Sequence, residues 1–167
     1  MSGKVVLCVG AVLRGDDAAG PYLAKLLEND PAEGWEVIDG GQVPEDYLGV
    51  VRRKEPDELV MVDAADMGLP AGEVRVLTED DVSTDYLMTT HSLPISFLLS
   101  ELRGCCGKVT FLGVQPVQLE FFGALTPEVL QSVEWIHTRL KEGGDFSDVP
   151  SVWADEDKGS VQQEEEE

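Results

Sequence analysis

Short apolar runs alternate with amphipathic stretches along most of the chain, the pattern of strand-helix-strand units and a largely parallel sheet. Val5 to Val9 is apolar throughout, as a central strand covered on both faces should be. Ala19, Leu23, Leu26 and Leu27 recur at helical spacing and predict a helix over residues 18–29. Trp35 to Ile38 reads as the next strand, ended by Asp39-Gly40-Gly41. Pro44 suits the first turn of a helix over residues 44–53 whose inner face carries Tyr47, Leu48 and Val51. Leu59 to Val62 is a third strand. After the turn at Pro70-Ala71-Gly72, residues 73–77 alternate polar and apolar as a half-exposed edge strand does, with antiparallel pairing open to it.

Ser92 and Pro94 predict a helix start, Ile95, Leu98, Leu99 and Leu102 its buried stripe, and Gly104 its end. Residues 108–114 form the last strand, and Thr126-Pro127-Glu128 opens a final helix with Val129, Val133, Ile136 and Leu140 inward. The expected architecture is an α/β fold in three layers, a twisted, mainly parallel sheet of about five strands with helices on both faces. The globular domain spans residues 1–142. Residues 143–167, polar and ending in four glutamates, read as an acidic, flexible tail with Trp153 as its one large apolar group.

Three apolar runs end on metal-ligand residue types: the first leads into Gly15-Asp16-Asp17, the third into Asp63, and Thr89-Thr90 into His91. Open parallel sheets gather their sites beyond the carboxyl ends of the strands, so these groups are expected to converge. Each has a plainer role open to it, Asp17 as a helix cap and Asp63 as a turn acceptor, with Asp66 nearby for the same task. One cap does not need both Asp16 and Asp17, which leaves one carboxylate for other work. His91 lies outside any core stripe, whereas His137, the other histidine, borders Ile136 and Leu140 and reads as structural. Two carboxylates and one imidazole suit Zn, Ni, Fe or Mn with positions left open for a substrate.

Composition narrows the field. Twelve Lys and Arg against 33 Asp and Glu give the 167-residue chain a net charge of -21, which opposes nucleic acid and anionic lipid as partners. Such a charge fits a salt-rich cytoplasm, where screening relieves self-repulsion, and equally the steering of a basic partner. No run reaches the roughly 18 apolar residues of a membrane span, and no signal peptide precedes the first strand, so a cytoplasmic location is expected. Cys8 lies within a strand and Cys105-Cys106 are adjacent, a spacing of neither a disulfide framework nor a C-x-x-C site.

Other chemistries match poorly. Gly10 and Gly15 suggest a dinucleotide loop, yet Val12 stands where the second glycine should admit pyrophosphate, and Asp16 and Asp17 would repel it. There is no G-x-S-x-G, no H-E-x-x-H, and no pair of pepsin-like Asp-Thr/Ser-Gly segments.

Eight blocks in unbroken order carry a resemblance: Leu7-Cys8-Val9-Gly10, Gly15-Asp16-Asp17, Gly20-Pro21, Asp39-Gly40-Gly41, Val62-Asp63-Ala64, Asp66-Met67-Gly68-Leu69, Met88-Thr89-Thr90-His91 and Phe111-Leu112-Gly113-Val114-Gln115-Pro116. Between Val5 and Leu140 the chain resembles the [NiFe]-hydrogenase maturation endopeptidases, most of all the branch that matures the hydrogenase of the formate hydrogenlyase complex. The resemblance implies an aspartic-type-like protease that removes a C-terminal extension from the hydrogenase large-subunit precursor after nickel-iron insertion. The family's metal-contacting residues fall on Asp17, Asp63 and His91, with Asp16 a further candidate base. The nickel would come with the precursor, as something recognised by the protease, and no organic cofactor is implied. Ala11 and Ala18 depart from the family's usual Asn and Gly, which bears on substrate choice. A monomer suits so transient a task. The readings that compete are a nickel-dependent assembly factor that does not cleave and a metallohydrolase with its own ion.

Overall fold

The computed structural model describes residues 3–82 and 95–153. Five strands form one sheet in the order β2-β1-β3-β5-β4, with β1 at Lys4–Val9, β2 at Trp35–Gly41, β3 at Glu58–Ala64, β4 at Val74–Leu77 and β5 at Lys108–Val114. The strands pair in parallel except for β4, which runs antiparallel to β5 at the edge. The helices are α1 (Ala19–Asn29), α2 (Leu48–Lys54), α3 (Glu79–Val82), α4 (Ile95–Arg103) and α5 (Pro127–Lys141).

Side chains alternate across a strand, and the central strands use that period to build two cores. Val6 and Cys8 of β1, Val60 and Val62 of β3, and Leu112 and Val114 of β5 pack with Leu23 and Leu27 of α1 and with the predicted stripe of α5. Val5, Leu7 and Val9, with Leu59, Met61 and Phe111, face the opposite way onto Val51 of α2 and the Leu98, Leu99 and Leu102 stripe of α4. The three-layer α/β architecture is therefore as the apolar pattern requires.

From β1 the chain passes through α1 on one face to β2, and from β2 through α2 on the other face to β3 on the far side of β1. The connections thus diverge between β1 and β3, and the crevice beyond their carboxyl ends is the topological switch point at which such sheets place ligands.

Three local expectations change. The segment predicted as one helix from Pro44 is a 3₁₀ turn, Pro44–Tyr47, that tightens the entry into α2. Another 3₁₀ turn, Gly15–Ala18, precedes α1 and carries Asp16 and Asp17. The short α3 escaped notice because one turn has no periodicity. It is closed by Asp81, whose Oδ2 accepts from Thr78 N at 2.8 Å, the returning half of a capping box.

The largest difference lies after α5. Residues 143–153 are docked, with Phe146 and Val152 buried and Phe146 set edge-on to Trp135 at 6.2 Å between ring centres. The returning chain lies along β4: Val76 N donates to Pro150 O at 3.0 Å and Arg75 Nη1 to Ser151 O at 3.1 Å. Trp153 packs on the core shared with α4 and donates its indole N-H to Asp81. Polar composition predicted a loose tail, but a few spaced apolar anchors suffice to cover the β4 edge, which would otherwise expose unpaired backbone groups. The four terminal glutamates lie outside the described residues. Among the described residues no helix is long and apolar enough to cross a membrane.

Because Phe146 is buried in the core that α5 lines, edge-on to Trp135 of that helix, Phe146→Ala should cost about 3 kcal/mol of folding free energy, measured by urea unfolding. An unchanged midpoint would mean that the segment is not held.

Candidate active site

The crevice is shaped first by backbone. Gly10 ends β1 with φ +147°, and a Cβ on it would lie 1.9 Å from Asp17 O. Gly20 in α1 is as tightly bound to its place, since a Cβ there would meet Val9 O at 2.1 Å. Both positions need glycine so that the Gly15–Ala18 turn and the start of α1 can sit directly on the end of β1.

Asp16 and Asp17, adjacent in sequence and both fully buried, have different work. The Oδ2 of Asp16 accepts from Val117 N at 2.8 Å and Gln118 N at 3.2 Å, and Oδ1 accepts from Thr126 N at 2.7 Å. The Thr126 hydroxyl donates between both oxygens, at 3.0 and 2.9 Å. The backbone adds Asp16 N to Gln118 O at 2.9 Å and Phe122 N to Leu13 O at 2.6 Å. Four donors converge on two oxygens, so Asp16 has no lone pair to spare for a substrate proton. Its geometry makes it the clip that ties the β5–α5 loop to the β1–α1 loop.

The Oδ2 of Asp17 accepts from Ala11 N at 2.9 Å, six residues back, which folds the loop after β1 onto itself. No side-chain bond caps α1, so Asp17 is not the helix cap that its position allowed. Asp63 is the penultimate residue of β3, fully buried, and opposite Gly113 of β5. By the two-residue period it shares the face of Leu59 and Met61, toward α2 and α4. The 3₁₀ turn of Asp16 and Asp17 is in contact with β3, which brings Asp17 and Asp63 to the same end of the sheet at the switch point. His91 lies outside the described residues. Among the described residues no three His, Cys, Asp or Glu side chains cluster as a metal site.

Gln115, not singled out as a functional candidate, secures the floor of the crevice. Its Oε1 accepts from Met67 N at 2.7 Å and Leu69 N at 3.3 Å, while Nε2 donates to Asp66 Oδ1 at 3.1 Å. Asp66 also receives Gly68 N at 3.2 Å, the turn-bonding role its type suggested. His137 is structural, with Nε2 2.8 Å from Asp30 O. Burial pushes the Cys8 thiol far above its ordinary range and that of Cys106 up to about 12, so neither is a nucleophile at neutral pH.

An open cleft of about 370 Å³ adjoins the Asp17 loop, lined by Gly10, Val12, Leu13, Arg14, Gln42 and Phe121 among others. A larger groove of about 510 Å³ between β4 and α5 contains none of the candidate residues.

Buried carboxylates at the switch point of a five-stranded α/β sheet define the class of fold and the place of its site, and comparison makes the assignment specific. Residues 21–141 match the HycI family, described as hydrogenase maturation protease. The hydrogenase 3 maturation protease of Escherichia coli K12 is 42% identical over 137 residues, 82% of this chain and 88% of that protein. A crystal structure of the hydrogenase 3 maturation protease superposes with a TM-score of 0.84 at 38% identity, covering 90% of this chain and 97% of the other. A [NiFe] hydrogenase maturation protease HycI from Thermococcus kodakarensis KOD1 gives a TM-score of 0.75 at 25% identity, covering 84% and 91%. The chain belongs to the hydrogenase maturation protease family.

If Asp16 is a clip, Asp16→Asn should cost about 3 kcal/mol, since an amide group cannot accept from all of these donors and leaves buried N-H groups unpaired. Hydrogen exchange should report the loss first at Val117, Gln118 and Thr126.

Proposed function

We propose that this protein is an endopeptidase that removes the C-terminal extension of a nickel-loaded [NiFe]-hydrogenase large-subunit precursor. The observation that carries the reading is the pair of buried carboxylates, Asp17 and Asp63, at the β1–β3 switch point of a chain belonging to this family. His91 completes the ligand set on the strength of the sequence motif. Two carboxylates and a neutral imidazole are a ligand set of suitable chemistry for a divalent nickel that arrives with the substrate. The nickel is then part of what is recognised, and the precursor before metal insertion lacks that handle.

Hydrolysis adds one water across the scissile peptide bond: its oxygen forms the new carboxylate, the C-N bond breaks, and a proton must reach the departing amine. Asp16 is committed to loop donors and takes no part. Asp17 or Asp63 is left to move the proton, and in that sense the enzyme is aspartic-type, although it has neither the pepsin-like motif nor its two-lobed pairing. A monomer working in the cytoplasm, without organic cofactor, nucleic acid or membrane, fits this task.

The test is intact-mass spectrometry of nickel-loaded and nickel-free large-subunit precursor after incubation with the protein. The expected result is loss of a C-terminal fragment from the nickel-loaded form alone, with Asp63→Asn and His91→Ala slowing it by roughly 100-fold or more while remaining folded. Binding without mass change would instead indicate an assembly factor that does not cleave. For a site that reads a substrate's metal, the purified protein should hold far less than one equivalent of metal by elemental analysis. A full equivalent, needed for activity, would indicate a resident metal.

A further inference from the structure

A chain with so large an acid excess should keep its surface polar, yet one part of it does not. Val12 is 67% exposed, Phe121 69% and Phe122 83%, and Leu13 and Val117 are more than half exposed. All five lie on the two loops that Asp16 ties together, and the bond from Phe122 N to Leu13 O joins the loops at their tips. The apolar groups are therefore fixed in place beside the Asp17 loop, and Val12, Leu13 and Phe121 line the cleft of about 370 Å³ there. Contiguous exposed apolar groups at the rim of a site mark a surface that is covered by a partner.

Arg14 says what the partner brings. It is the only cation on either loop and stands 5.2 Å over the ring of Phe121. Its Nε is buried without a hydrogen-bond partner, and among the described residues its guanidinium has no ion pair, in a chain with 33 carboxylate side chains. An arginine held half-buried against an aromatic ring is set to receive a carboxylate from outside the chain.

We propose that Val12, Leu13, Val117, Phe121 and Phe122 seat the C-terminal extension of the precursor, with apolar side chains of the extension on this lip and one of its carboxylates on Arg14. The proposal rests on the protease reading above. The chain beyond a bond cut beside Asp17 leaves across the surface that the same loop provides. This seat would hold the departing part of the substrate, while the carboxylates address the metal-bearing part.

The test is steady-state processing of nickel-loaded precursor by the wild type, the double variant Phe121→Ser/Phe122→Ser, Arg14→Gln and Arg14→Lys, all with unchanged unfolding midpoints. The double variant should raise KM about tenfold or more with kcat within about twofold, the pattern of lost substrate binding. Arg14→Gln should raise KM less, and Arg14→Lys should recover part of it. An unchanged KM in the double variant, or a fall in kcat alone, would overturn the seat and leave the protease reading standing. A wild type that never shortens the precursor would remove both.

Discussion

The geometry of the site depends on one buried carboxylate, Asp16, whose two oxygens are both taken up by loop donors. Asp16 accepts Val117 N, Gln118 N, Thr126 N and the Thr126 hydroxyl, and so gathers two stretches of a loop more than 100 residues distant onto the end of β1. Burying an ionised group is costly unless it is fully hydrogen-bonded, and full satisfaction is what makes the arrangement a single state. Thr126 is also the residue before the first turn of α5, so the same carboxylate fixes where that helix begins. With the clip in place the two loops behave as one wall of the crevice.

That wall matters because the sheet supplies only the direction of the site. Divergence of the connections between β1 and β3 leaves a crevice at their carboxyl ends, and Asp63 enters it on a strand flanked on both sides by β1 and β5. Asp17 comes from a turn, which is less rigid by nature. It is held by its bond to Ala11 N, by the glycines that let the turn sit on β1, and by its neighbour Asp16. Adjacent aspartates thus divide the labour: one fixes the loops and the other faces the crevice from a position the first has set.

The strands and most helices were readable from residue order because their causes are local. Apolar runs such as Val5 to Val9 and Leu59 to Val62 can only be strands buried on both faces, and the stripes of α1, α4 and α5 repeat at helical spacing. The bonds of Asp16 were not legible because its partners are remote in sequence, and no local pattern announces a bond across so long a separation. The docked segment after α5 was misread for a related reason: mean polarity averages over Phe146, Val152 and Trp153, whereas docking depends on those three alone. Asp17 and Asp63 could be singled out because the ends of parallel strands concentrate function, a rule of topology that needs no coordinates.

On the proposed function, the same division of roles would let an acidic protein act on a metal-bearing substrate and still choose among substrates. Carboxylates at the crevice attract any divalent cation, so charge alone discriminates poorly. Selectivity must come from contacts that a free ion cannot make. An apolar rim carrying a single unpaired arginine, in a surface otherwise rich in carboxylates, supplies such contacts, since a hydrated cation gains nothing from Phe121 or Arg14 while a peptide gains from both. Asp16 joins the two loops so that neither can shift without the other, and on the proposed function metal and peptide would be read at a fixed separation.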